Sequence, residues 1–101
     1  MVEMQENKKR GYLRSGHEED LIILEYLKKQ KLQGVKFLCS RYAISLEVVA
    51  FRMLGDLDQA KEIVFDTFWN LWVEQKFSDV TPPLRPFLHE EIKKACSMVE
   101  R

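Results

Sequence analysis

The sequence predicts an all-α fold, a compact bundle of about four helices. Three observations lead there. Apolar residues recur at three- and four-residue spacing, the period of a helix with a buried face. The four glycines and three prolines are grouped, with Gly11 and Gly16 near the start, Gly34 and Gly55 between periodic segments, and Pro82, Pro83 and Pro86 together. No Asn-Gly or Asp-Gly pair marks a hairpin, and no sustained apolar–polar alternation marks a strand.

The elements follow in order. Residues 1–15 read as a flexible lead-in, and the helical domain is expected over residues 16–101. A first helix is expected from Gly16 to Lys31. Ser15 followed by Glu18 has the form of a capping box, and Lys28, Lys29 and Lys31 suit the negative end of the helix dipole. Gly34 marks the break. A second helix is expected from Val35 to Leu54. It carries one stripe of Val35, Leu38, Tyr42, Leu46, Val49 and Met53, and a second of Phe37, Ile44, Val48 and Phe51. Two stripes predict a central helix with neighbours on both sides. Gly55 suits its C-cap.

Asp56, with Gln59 three residues on, suits the N-cap of a third helix ending near Glu74. Ala60, Ile63, Val64, Thr67, Phe68 and Leu71 would point inward, with Trp72 at the edge. A loop is expected from Lys76 to Thr81. The fourth helix starts around the prolines, which are tolerated in a first turn. Leu84, Phe87, Leu88, Ile92, Ala95, Cys96 and Val99 form its apolar face. That pattern is still running where the sequence stops, so we expect one domain of a longer protein.

Composition narrows the function. The chain has 101 residues, 46% of them hydrophobic, which supports one modest core. Purely apolar runs such as Leu21–Leu24 are too short for a membrane span. Cys39 and Cys96 form neither a disulfide framework nor, with the isolated His17 and His89, a metal site, and a reduced, cytoplasmic setting is the expectation. No carboxylate–histidine, cysteine–histidine or glycine-rich phosphate-loop arrangement is present, so no catalytic residue or cofactor is assigned.

Sixteen basic and sixteen acidic residues give a net charge of zero, but the charge is uneven. Residues 57–79 hold Asp58, Glu62, Asp66, Glu74 and Asp79 against Lys61 and Lys76, a net of −3. The remainder therefore carries +3. The acidic third helix is either a solvated face or a docking surface for a basic partner. At about 100° per residue, Phe65, Trp69 and Val73 fall on a line away from its inward face, beside Glu62 and Asp66. That line is either extra core under the first helix or an interface hot spot.

The run Gly55-Asp56-Leu57-Asp58-Gln59-Ala60-Lys61-Glu62-Ile63-Val64-Phe65-Asp66-Thr67-Phe68-Trp69-Asn70-Leu71-Trp72 resembles region 2 of extracytoplasmic-function sigma factors of bacterial RNA polymerase. The family pattern is roughly G-D-x-x-x-A-E-D-I-V-Q-[ED]-x-F-x-x-[LF]-W. Upstream, Val35 to Tyr42 and on to Leu54 is similar to the family's F-x-x-L-Y-x-x-Y helix. Downstream, Leu84-Arg85-Pro86-Phe87-Leu88 and Ile92-Lys93-Lys94-Ala95-Cys96 look like the helix after the promoter-reading loop. The resemblance spans residues 20–99.

The resemblance implies a region 2 type bundle and a transcription initiation factor. Asp58, Glu62, Phe65, Asp66 and Trp69 would dock on the β′ coiled coil of core RNA polymerase. A loop over Phe77–Pro83 would capture a base flipped from the single-stranded −10 promoter element. Lys76, Thr81, Arg85, His89, Lys93 and Lys94 would contact DNA. An anti-sigma factor is a further partner, the free domain is expected to be monomeric, and no membrane is involved. The domain that reads the −35 element is not in this chain. The sequence departs from the pattern at Phe65, where the family has glutamine, at Lys61-Glu62 in place of Glu-Asp, and at Glu90, Glu91 and Lys94. Those departures suggest the alternative of a protein-interaction domain of the same fold that does not melt promoters.

Overall fold

A computed structural model describes residues 9–99 and contains four helices: α1 (Lys9–Lys28), α2 (Leu32–Leu54), α3 (Leu57–Val73) and α4 (Leu84–Ser97). The expected all-α bundle is the observed architecture. Helix α2 is the central element, packing against α1, α3 and α4, while α3 also packs against α4. Leu27, Leu38, Leu46, Phe68, Phe77, Leu84, Leu88 and Ile92 are fully buried at the shared core. No helix of the described residues is long and apolar enough to cross a membrane.

Several boundaries differ from expectation. Residues 9–15 are helical, not lead-in, and residues 1–8 lie outside the described residues. Ser15 thus sits inside α1 rather than at its cap. Once a helix is nucleated, each added residue gains one hydrogen bond, so a capping sequence does not by itself stop propagation toward the N-terminus. Helix α4 ends at Ser97, so the apolar pattern reaching Val99 outlasts it.

The α1–α2 break is made by Gln30, not by Gly34. Gln30 takes a left-handed conformation at φ 59°. Its N–H donates to the Leu27 carbonyl at 3.0 Å, and the Lys31 N–H donates to that of Tyr26 at 2.9 Å. This is the paired closure of a Schellman motif, usually built on glycine. Helix α3 ends the same way. Gln75 has φ 58°, its N–H reaches the Trp72 carbonyl at 3.1 Å, and the Lys76 N–H reaches that of Leu71 at 2.8 Å. The caps expected at α2 and α3 are present. Gly55 is left-handed at φ 76° and donates to the Phe51 carbonyl at 2.7 Å. The Asp56 carboxylate accepts from the Gln59 N–H at 3.0 Å.

Gly34 lies inside the first turn of α2 and has a different role. A Cβ there would stand 2.8 Å from the Leu27 backbone nitrogen and 3.0 Å from the Leu27 Cγ. Glycine is what lets α1 and α2 approach this closely. Gly34→Ala is expected to destabilise the domain by about 1–3 kcal/mol through overpacking, against a gain of up to about 1 kcal/mol in helix propensity. Urea unfolding measures the net. A midpoint equal to or above the original would show that the crossing relaxes without cost.

Among the described residues, the second stripe of α2 is largely open. Phe37, Ile44, Val48 and Phe51 are exposed, Ile44 by 78%. Tyr26 of α1 meets Phe37 edge-on at 5.4 Å, so the neighbour expected on that side reaches the start of the stripe and leaves Ile44, Val48 and Phe51 open among the described residues. Helices α1, α3 and α4 all gather on the face marked by Val35, Leu38, Tyr42, Leu46, Ala50 and Leu54. Met53, placed on the inner stripe by spacing, is also exposed. On α3, Ala60, Val64, Phe68 and Leu71 are buried, with Ile63, Thr67 and Trp72 half-buried.

Candidate functional site

The outer face of α3 gathers the five residues expected to bind polymerase. Asp58, Glu62 and Asp66 recur every four residues, and Phe65 and Trp69 follow the adjacent line. All five are exposed. Phe65 and Trp69 are 56% and 41% exposed, so the line is not extra core beneath α1. Their rings stack at 6.1 Å with planes 18° apart, and Trp69 meets Trp72 edge-on at 5.3 Å. Half-buried Trp72 thus backs the exposed pair against the bundle.

The acids on this face repel one another. Like charges four residues apart on a helix cost about 0.2–0.5 kcal/mol per pair. A cationic partner would relieve that repulsion, while the stacked rings offer it a rigid apolar surface. Large aromatic side chains held in place are the usual anchors of protein interfaces.

The residues expected to contact DNA do not form one patch. Arg85 lies against α2, where its guanidinium donates to Ser45 Oγ at 3.3 Å. His89 and Lys93 follow at successive four-residue steps along that flank. Lys94 lies on the other side, 3.1 Å from Glu91, in a cleft that Lys76 also lines between α3 and α4. Thr81 is elsewhere again, in a cleft of ≈ 340 Å³ shared by Val80 and Pro82 with Leu21, Leu24, Glu25 and Lys28 of α1. The loop expected over Phe77–Pro83 is partly core. Phe77 is buried and meets Phe87 edge-on at 5.9 Å, leaving its surface portion to the residues after it.

Asp20 organises this end of the molecule. It is 2% exposed. Its carboxylate accepts from the Tyr42 hydroxyl at 2.7 Å and from the backbone N–H of Leu84 at 2.9 Å. Arg41 Nε lies 3.5 Å away, and the Arg41 guanidinium also pairs with Glu19. Leu84 is the first residue of α4, and Pro83 before it provides no side-chain cap. Asp20 therefore caps α4 from a different helix. Burial pushes the Tyr42 phenol above its ordinary value, and the hydrogen bond to Asp20 adds to this. Burial, with Glu47 as a lesser cause, also pushes the half-buried Cys39 thiol up.

The Tyr42 shift has a defined pH consequence. An unfolded chain releases this proton at about pH 10, while the native chain holds it longer. The contribution to stability is whole below about pH 10 and is lost as pH rises through the native value. In an ultraviolet phenolate titration, Tyr42→Phe should remove a component lying above the ordinary tyrosine range. Loss of a component at the ordinary value would contradict the shift.

Trp72 Nε1 and His89 Nε2 are buried atoms with no hydrogen-bond partner among the described residues. No group of three or more His, Cys, Asp or Glu is arranged to hold a metal ion among those residues. Asp20, Arg41 and Ser45 were not singled out from sequence. Asp20 did leave a signal, since it occupies an inward helical position in line with Ile23, Leu24 and Leu27.

Fold and surfaces together define an all-α domain whose third helix carries an exposed face of acids and stacked aromatic rings. No protein family, curated protein or solved structure matches the chain.

Proposed function

We propose that this chain is a transcription initiation factor domain, similar to region 2 of extracytoplasmic-function sigma factors. Helix α3 binds the β′ coiled coil of core RNA polymerase, and the α4 side recognises and melts the −10 promoter element. The observation that carries the reading is the exposed, stacked Phe65–Trp69 pair set beside a row of three acids. A basic helical partner meets both requirements of that face, because charge complementarity orients it and the aromatic pair anchors it. Phe65, standing where the family has glutamine, makes the contact more apolar.

A second reading is a protein-interaction domain of the same fold, held by polymerase or an anti-sigma factor, without promoter melting. Three observations favour it: Lys94 is paired with Glu91, Phe77 is buried, and α2 presents an open apolar stripe. Under either reading the protein is not an enzyme and acts in the cytoplasm.

One experiment separates the readings. The chain is mixed with core polymerase, passed over a sizing column, and offered non-template −10 strand DNA. Co-elution with retained DNA supports the first reading. Co-elution without DNA selects the second. Failure to co-elute removes polymerase as the partner.

A further inference from the structure

The exposed side of α2 carries a heptad pattern. Phe37, Ile44, Val48 and Phe51 lie exposed, and with Arg41 they fall at steps of four, three, four and three residues. That repeat of 3.5 residues is the seam along which one helix packs on another. In its terms Arg41 and Val48 take the a positions, and Phe37, Ile44 and Phe51 take the d positions. The opposite side of α2, with Leu46 and Ala50, is already engaged by the rest of the bundle.

The charges beside the seam show what fits it. Glu47 precedes Val48 and takes a g position, while Arg52 follows Phe51 and takes the next e position. They stand five residues apart, so they do not face each other on their own helix. Neither has an ion-pair partner among the described residues. When two such helices run parallel, a g residue of one meets an e residue of the other, and those pairs set partner and orientation. A second copy of this chain therefore brings Glu47 and Arg52 together on both sides of a two-fold axis. An antiparallel copy would set g beside g and e beside e, which gathers like charges. Arg41, the polar residue in the seam, is met by Glu19 and Asp20 within its own copy.

We propose that α2 pairs in parallel with α2 of a second copy, through the seam from Phe37 to Phe51. The free protein is then a two-fold symmetric homodimer, in place of the monomer that the resemblance implies. Such self-complementary contacts are the commonest form of oligomer. The seam is about 21 Å long, short for a coiled coil assembled from unfolded chains. Here the bundle has already fixed both helices, so the cost of nucleating them does not arise again. Ile22 of α1 adds to the apolar surface, since it is 51% exposed and borders a cleft of ≈ 460 Å³ with Phe37, Ser40 and Arg41. The interface is at the small end for specific complexes, so association is expected at micromolar concentrations. The seam uses no residue of the α3 face, and the proposal stands apart from polymerase binding.

Sedimentation equilibrium of the full chain over a wide range of micromolar concentrations tests this. The mass should rise from 12.0 kDa toward twice that value. Ile44→Asp should weaken the dimer about a hundredfold or more, because each copy loses the burial of one isoleucine. Ile44 is 78% exposed, so the helical circular dichroism should be kept. Glu47→Lys and Arg52→Glu decide the orientation. Either variant alone sets like charges together twice and should weaken the dimer about tenfold or more. Mixed in equal amounts, the two variants should recover the original affinity, since every facing pair is opposite again. Should Glu47→Lys lose its helical signal, the exposed Arg52 still reports: Arg52→Glu should weaken the dimer while Arg52→Lys should not. A mass of one chain at every concentration overturns the proposal, as does a dimer that Ile44→Asp leaves intact. A mixture no tighter than its separate variants overturns the parallel pairing. A dimer lost instead on combining Asp66→Ala with Trp69→Ala assigns self-association to α3 and overturns the α2 seam.

Discussion

Asp20→Ala should destabilise the domain by about 3–5 kcal/mol, the range seen when one partner of a buried charged network is removed. For a domain whose total stability is on the order of 5–15 kcal/mol, that is a large share. Three losses combine. The Tyr42 hydroxyl, buried at the core, loses its acceptor. The first N–H of α4 loses the carboxylate that caps it, and Pro83 supplies no side-chain cap in its place. Arg41 keeps Glu19 but loses the second carboxylate near its Nε. Asp20→Asn is the informative companion. Its amide oxygen can still accept one hydrogen bond, so it should fall between the original and the alanine variant. Chemical denaturation followed by circular dichroism measures both. A cost below about 1 kcal/mol for Asp20→Ala would mean that solvent reaches these groups and replaces the carboxylate.

Removing the proposed docking face on α3 should have the largest effect on binding. Asp66→Ala combined with Trp69→Ala is expected to abolish detectable association with core polymerase. A buried aromatic anchor and a charge within an interface are each commonly worth about 2 kcal/mol or more. Together, on the order of 4 kcal/mol corresponds to roughly a thousandfold in Kd. Both side chains are exposed in the free domain, so stability should barely change, and the helical signal serves as the control. Removing Asp66 also relieves its repulsion with Glu62, which works against any stability loss. Retained association at unchanged affinity would show that α3 is not the docking surface. Loss of association in Ile44→Asp alone would instead point to the open stripe of α2.

Much of the fold was legible because helices announce their inner faces by period. The buried residues of α3 and α4 are those the spacing marks, and Gly55, Asp56 and Gln59 cap where local chemistry says they should. The helix ends at Gln30 and Gln75 were not legible, because both take a left-handed role that sequence patterns assign to glycine. Gly34 was misread for the complementary reason. Its value lies in how near α1 comes, not in its own backbone. The stripe of Phe37, Ile44, Val48 and Phe51 was read as a second buried face. Periodicity reports which side chains are apolar, and it does not report whether a neighbour arrives to cover them.

The candidate surfaces divide along the same line. The α3 face was readable, since all of its residues belong to one helix and a fixed rotation per residue places them together. The basic residues around α4 were grouped by composition, and only packing separates Arg85 from Lys94. The sequence by itself determined the helical class, the order of the four helices, most of their inner faces and the alignment of acids and aromatics along α3, while packing decided that the aromatic line lies open. Those properties depend on local period and local charge. Tertiary structure alone decided the Asp20 cap, the placing of Arg85 against α2, the close crossing at Gly34 and the open stripe of α2. The Asp20 bonds join residues 22 and 64 positions apart, and such separations meet only when the helices pack.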